Sequence, residues 1–369
     1  MTTPPADRSM LSYLKWAFIV TGLGLVLGAV LGWRTTGTLS GMASIVFICA
    51  VLAVLEISLS FDNAIVNANK LNTMSAVWRQ RFLTWGILIA VFGMRILFPL
   101  LIVMLAAKIG PWQAVTLAAS DPDEYSRIMQ GAHLPIAAFG GTFLLMVALS
   151  FFFDEEKDVH WFGWIERRMA WLSSIKGVEI AIVLSLILAF SRLVPPDQIQ
   201  SFVMSAIYGL LTFLLVQVAG ELLDASDKAL KGAASGGLGA FLYLEVLDAS
   251  FSFDGVIGAF ALTHNLFVIA IGLGIGAMYV RSMTIMLVEK GTLSTYRYLE
   301  HGAFWAILIL SVIMYVQTTG LHIPEVVTGL GGAALIGVAL LASIRWNKAN
   351  PDGEEDSREP AEILAAPAE

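Results

Sequence analysis

EISLSFDNAI at 56–65 and DASFSFDGVI at 248–257 are the two stretches on which the fold turns. Aligned without gaps, they pair Glu56 with Asp248, Ser58 with Ser250, Ser60 with Ser252, Phe61 with Phe253, Asp62 with Asp254 and Ile65 with Ile257. The likeness continues downstream, where GILIAVFGMR (86–95) matches GLGIGAMYVR (272–281), each opening on glycine and closing on arginine. Two matched segments in the same order argue for a duplicated unit.

Both copies lie inside apolar runs. The chain has 369 residues, 57% hydrophobic and 14% charged, with a mean hydropathy of +0.77. A soluble domain of that composition would leave too much apolar surface in water, so the class is a polytopic, all-α integral membrane protein. Apolar runs of spanning length fall at about 13–33, 43–69, 82–106, 135–153, 177–193, 201–220, 237–262, 266–288, 300–317 and 326–345, which predicts about ten transmembrane helices. The first run has no small-residue cleavage site at its end and is read as a span, not a signal peptide.

Lys and Arg set the orientation. With the N-terminus inside, the external loops hold only Arg34, Lys108, Arg127 and Arg192, and most other basic residues fall on the cytoplasmic side. That bias places both termini in the cytoplasm. Residues 1–12 then form a cytoplasmic leader, 13–345 the transmembrane domain and 346–369 a disordered acidic tail. The long external loop at about 107–134 has room for a short interfacial helix. The cytoplasmic loop 154–176, mixing Trp with basic residues, reads as a helix lying on the membrane surface.

The motif copies sit on the second and seventh spans, which cross in opposite directions. The architecture is an inverted-topology repeat, with repeat A at about 43–153 and repeat B at about 237–345. On an unbroken helix Glu56 and Asp62 would lie about 120° apart. Ser58 and Asp62, and likewise Ser250 and Asp254, share a face instead. A break near the serines, aided by Gly255 in the second copy, would turn both acids to one point, so the second and seventh helices are expected to be discontinuous.

Glu56, Asp62, Glu245, Asp248 and Asp254 all fall within apolar spans, where an unpaired carboxylate costs several kcal/mol and the default reading is functional. Arg95 and Arg281 supply charge balance. One divalent cation and one proton neutralise what these two leave of five carboxylates. Carboxylates, the Asn63 amide and the supporting hydroxyls of Ser58, Ser60, Ser250 and Ser252 are hard oxygen donors that suit Mn2+, Mg2+ or Ca2+. Glu245 aligns with Ala53 and so departs from the repeat. Buried acids hold protons until a cation displaces them, which links metal binding to proton release. The plainer readings are that the serines satisfy helix carbonyls and the arginines are structural counter-ions.

Other chemistries are poorly represented. Cys49 is the single cysteine, so there is no intrachain disulfide or cysteine cluster. The histidines, His133, His160, His264, His301 and His322, fall in loops or near span ends. There is no basic patch interleaved with aromatics for nucleic acid, and no nucleophile–base pair, phosphate-cradling glycine loop or haem-ligand pair for an enzyme.

On these residues the chain resembles the TerC family of integral membrane proteins, within the LysE-like exporter group. The resemblance is carried by EISLSFDNA (56–64), EVLDASFSFDGV (245–256), Arg95 and Arg281, over a core of about 43–317. It departs from commoner members in its longer segment between repeats, in Gly255 where Ser is usual, and in extra spans at the ends. The resemblance implies manganese export across a bacterial cytoplasmic membrane, with tellurite resistance as an older label. It also implies that Glu56, Asp62, Asn63, Glu245, Asp248 and Asp254 are the metal site. The expected partners are the bilayer, a divalent ion and protons, without a prosthetic group; a homo-oligomer is left open. The rival expectation is a non-transporting membrane scaffold or metal-binding component of a tellurite or metal stress-resistance system, docking through 154–176.

Overall fold

The computed structural model describes residues 9–86, 89–154, 157, 159–172, 175, 177–230, 237–321 and 323–350. The expected tail therefore lies almost wholly outside the described residues, as does most of the leader. The described chain is helical. In order come α1 (Met10–Thr36), α2 (Leu39–Leu59), α3 (Phe61–Asn72) and α4 (Ala76–Arg81), then π-helical turns at Phe82–Gly86 and Ile89–Leu97. There follow α5 (Phe98–Ala107), α6 (Pro111–Ser120), α7 (Pro122–Gly131), α8 (His133–Phe152), α9 (Gly163–Leu172) and α10 (Val178–Phe190). The second half holds α11 (Ile199–Leu230), α12 (Leu238–Phe260), α13 (Leu266–Glu289), α14 (Thr292–Thr295), α15 (Leu299–Gln317) and α16 (Glu325–Ala349).

Seven of these helices, α1, α2, α8, α11, α13, α15 and α16, are long and apolar enough to cross a membrane. An eighth is added if the stretch 93–107 and α6, bent by 103° to each other, count as one broken span. The remaining expected spans are helical but depart from simple membrane helices: α10 has only 13 residues, α12 carries the motif acids, and 82–106 is largely π-helical. The long loop at about 107–134 forms two helices, α6 and α7, where one short helix was expected. At the C-terminal end, helix continues to Ala349, past the expected start of the tail.

Small residues set the close packing. Gly24, Gly28 and Gly32, four apart on α1, face Ile275, Cys49 and Met42 respectively. On α13, Gly272 and Gly276 bring the backbone against Leu52 and Glu56 of α2. Such stripes let helix backbones approach where apolar association alone gives no drive. Outward positions of α1, including Trp16, Leu23, Val26 and Leu27, are exposed apolar side chains, as a lipid-facing helix requires.

Two apolar cores result. One includes Ala64, Phe143, Phe152, Phe251 and Met314; the other includes Leu52, Tyr125, Met129, Val256 and Phe260. The motif residues fall between them, with Leu52 and Ala64 in different cores on one side, and Phe251 and Val256 on the other.

The two copies do not fold alike. The first is interrupted at Ser60 (φ −105°, ψ 18°), which separates α2 from α3. The interruption is a tight one, because Ser60 N donates to Glu56 O and Ala64 N to Ser60 O. The second copy lies on α12, which runs unbroken through 248–257, correcting the expected discontinuity of the seventh helix. Gly255 does not break α12. It makes room, since a Cβ there would stand 3.2 Å from Glu56 Oε2.

Candidate functional site

The site is built where α3 and α12 face each other beside the α2 break. Asn63 and Asn67, four apart, share one face of α3; Asp248 and Ser252, also four apart, share one face of α12. Asn67 Nδ2 donates to Asp248 Oδ1 across 3.0 Å. Glu56, on the last turns of α2, accepts at Oε1 from Ser60 Oγ at 3.1 Å and from Arg95 Nη2. Arg95 also donates through Nε to Leu273 O at 3.2 Å. It comes from the π-helical turn Ile89–Leu97, the kind of helix distortion that recurs at functional positions.

These groups surround a small cavity, whose lining includes Glu56, Ser60, Asn63, Asn67, Arg95, Asp248, Ser252, Arg281 and Thr284. The matched arginines thus reach one cavity although Arg95 is on a π-helical turn and Arg281 on regular α13. Among the described residues, Arg95 is ion-paired with the motif acid Glu56, whereas Arg281 Nε is buried without a hydrogen-bond partner.

Asp62 turns to the other side of the break. Its Oδ1 accepts from Asn63 N at 2.8 Å in the first turn of α3, where the helix dipole favours a carboxylate. It lines a second, smaller cavity together with Glu56, Ser58, Ser60, Gly255 and Thr328. Ser58 Oγ is satisfied by Val54 O at 2.9 Å.

Two expected site residues fall outside both cavities. Glu245 stands behind Gly86, with both carboxylate oxygens buried and unpartnered, and lines an apolar opening with Phe98 and Phe139. Ser250 lines the same opening and bonds Val246 O at 3.0 Å. Asp254 belongs to α12, but its side chain lies outside the described residues. Among the described residues, no three acids, histidines or cysteines gather closely enough to hold a metal ion. The expected convergence of acids on one point is therefore not seen in them. What the cavity offers is two carboxylates, Glu56 and Asp248, with amide and hydroxyl oxygens. Asn63 Oδ1, Asn67 Oδ1 and Ser252 Oγ are buried and have no hydrogen-bond partner.

Sequence reading missed Asn67. The signal was available: it repeats Asn63 one turn on, an amide where an apolar side chain would pack. It also missed Glu166, in the first turn of α9, the centre of a buried cluster. Glu166 accepts from Lys157 Nζ (3.1 Å), Trp161 N (3.1 Å), Phe162 N (3.2 Å) and Trp305 Nε1 (3.0 Å). His301 Nε2 is 3.4 Å from the same carboxylate. Although burial raises a carboxyl pKa, these donors and the nearby positive charges outweigh it, and Glu166 is held below the ordinary glutamate range. Near the C-terminal end of α3, Asn69 Nδ2 bonds Glu300, the neighbour of His301.

The profile of one protein family, described as protein of unknown function (DUF475), matches residues 61–350. No curated protein and no solved structure matches the chain.

Proposed function

The chain belongs to the DUF475 family, and we propose that it is a secondary transporter exporting a divalent metal cation, manganese first, in exchange for protons. One observation carries this reading. On residues that line the cavity with Glu56 and Asp248, three buried oxygens (Asn63 Oδ1, Asn67 Oδ1 and Ser252 Oγ) have no hydrogen-bond partner. Unsatisfied buried acceptors cost free energy, of order 1–3 kcal/mol each. A hard cation would satisfy several at once, and carboxylate, amide and hydroxyl oxygens suit Mn2+, Mg2+ or Ca2+.

In this proposal Asp248 and Glu56 are the anionic ligands, Asn63, Asn67 and Ser252 complete the shell, and Arg95 balances Glu56 when no cation is bound. Asp62 and Asp254 serve the same ion's passage. Glu245 and Arg281 adjust the charge around it. The motif copies on α2–α3 and α12 would belong to two inverted halves of a ten-span domain, rocking about the site in a bacterial cytoplasmic membrane with both termini inside. The likeness of the motifs to the TerC family supports manganese and outward direction.

The reading is tested by equilibrium binding of Mn2+ to purified protein. Saturable binding that is lost in Asp248→Asn supports it; equal binding by the two proteins removes the site. The second reading, a membrane scaffold or metal-binding component of a stress-resistance system, draws on the exposed Trp164 and Trp171 of α9. It would leave Mn2+ flux absent and make function depend on the loop.

A further inference from the structure

Glu56 fronts both cavities. Its Oε1 is held by Arg95 and Ser60, while its Oε2 faces Gly255, a wall residue of the second cavity. One carboxylate thus offers an oxygen to each side of the Ser60 break. The second cavity also holds the Asp62 carboxylate and the hydroxyl of Thr328, on the first turn of α16. Gly329 packs directly on Leu59, and this fixes Thr328 beside the break.

Thr328 is the unusual member. Several helical Ser and Thr side chains in this protein bond a carbonyl of their own helix, as Ser58 does to Val54 O, Thr142 to Ala138 O and Ser250 to Val246 O; Thr328, like Ser252 in the first cavity, does not. Thr328 is 8% exposed, yet its Oγ1 is buried with no hydrogen-bond partner. A hydroxyl kept from its own helix, in a wall otherwise made by residues such as Ala306, Leu310 and Ala333, is suited to a ligand that enters.

We propose that the second cavity is a successive binding position for the same divalent cation, with Glu56 Oε2, Asp62 and Thr328 Oγ1 as its ligands. It deepens the transporter reading above and rests on it. The ion is held first by Asp248, Asn63 and Asn67, then passes across Glu56 to Asp62 and Thr328. Glu56 serves both positions in turn, so one ion is bound at a time. Thr328 is a ligand of the second position only, and its loss affects passage without affecting first binding.

The experiment compares wild type with Thr328→Val, Thr328→Ala and Thr328→Ser in proteoliposomes, measuring Mn2+ flux alongside equilibrium Mn2+ affinity. The Val and Ala variants are expected to lower maximal flux roughly tenfold or more and leave affinity within about twofold, because one charge-assisted ligand is lost. The Ser variant keeps the hydroxyl and is expected to keep the rate. Wild-type flux in both Val and Ala variants overturns the second position and leaves the transporter standing. A tenfold loss of affinity in them also overturns it, because Thr328 would then belong to the first position. Absence of Mn2+ flux in the wild type overturns both readings together.

Discussion

Glu56 and Arg95 form a buried ion pair between α2 and the π-helical turn, with side chains 3% and 7% exposed. Two charges taken out of water hold each other in place, and removing one strands the other at a cost of about 3–5 kcal/mol. Arg95→Met should therefore lower thermal stability in detergent sharply, and Glu56→Gln/Arg95→Met should recover part of the loss. A double variant no more stable than Arg95→Met would show that the pair does not couple.

Gly276 sets how closely α13 approaches that pair. A Cβ there would meet the Glu56 side chain and lie 2.8 Å from Ala53 O, a backbone atom that cannot swing away. Gly276→Ala is expected to destabilise by about 1–3 kcal/mol through forced separation of α2 and α13. Gly331→Ala, with nothing near its added Cβ, serves as the neutral comparison, and thermal unfolding measures both.

Asn67 donates to Asp248 and offers an unpartnered oxygen to the cavity. Asn67→Leu removes both, and a hydrogen bond to a charged group contributes about 1.5–3 kcal/mol. Mn2+ affinity should fall by roughly tenfold or more, with the protein still monodisperse. Unchanged affinity would remove Asn67 from the site.

Glu166 ties α9 and the segment before it to α15 through Trp305, Lys157 and two backbone amides. Its carboxyl is held below the ordinary glutamate pKa of 4.5, so its contribution is complete above that value and lost as pH falls through the lower folded one. Hydrogen exchange should show Trp161 and Phe162 amides well protected at neutral pH, with protection fading at acid pH. In Glu166→Gln protection should be weaker at neutral pH and depend less on acidification.

Much of this was legible because its physics is local. Carboxylates in apolar runs, and paired arginines nine residues after paired glycines, announce themselves by chemistry and spacing. The helix break at Ser60 followed from the face argument on Glu56 and Asp62. The same argument failed at α12, where Gly255 looks like a breaker but opens space for Glu56 Oε2, a contact between halves that no local pattern records. Thr328 and Glu166 were missed for the same reason, since the groups around them lie on helices distant in sequence. The π-helical geometry carrying Arg95 has no composition signal that distinguishes it from the α-helix carrying Arg281.

The central claim is that a divalent cation crosses the membrane through the cavity between α3 and α12. Its most direct test is Mn2+ flux into liposomes containing purified protein, with internal pH recorded, for wild type and for Asp248→Asn. Flux in the wild type with opposing proton movement, absent in Asp248→Asn, is the predicted result. Equal flux in both proteins, or none of Mn2+, Mg2+ or Ca2+ in the well-reconstituted wild type, would contradict it.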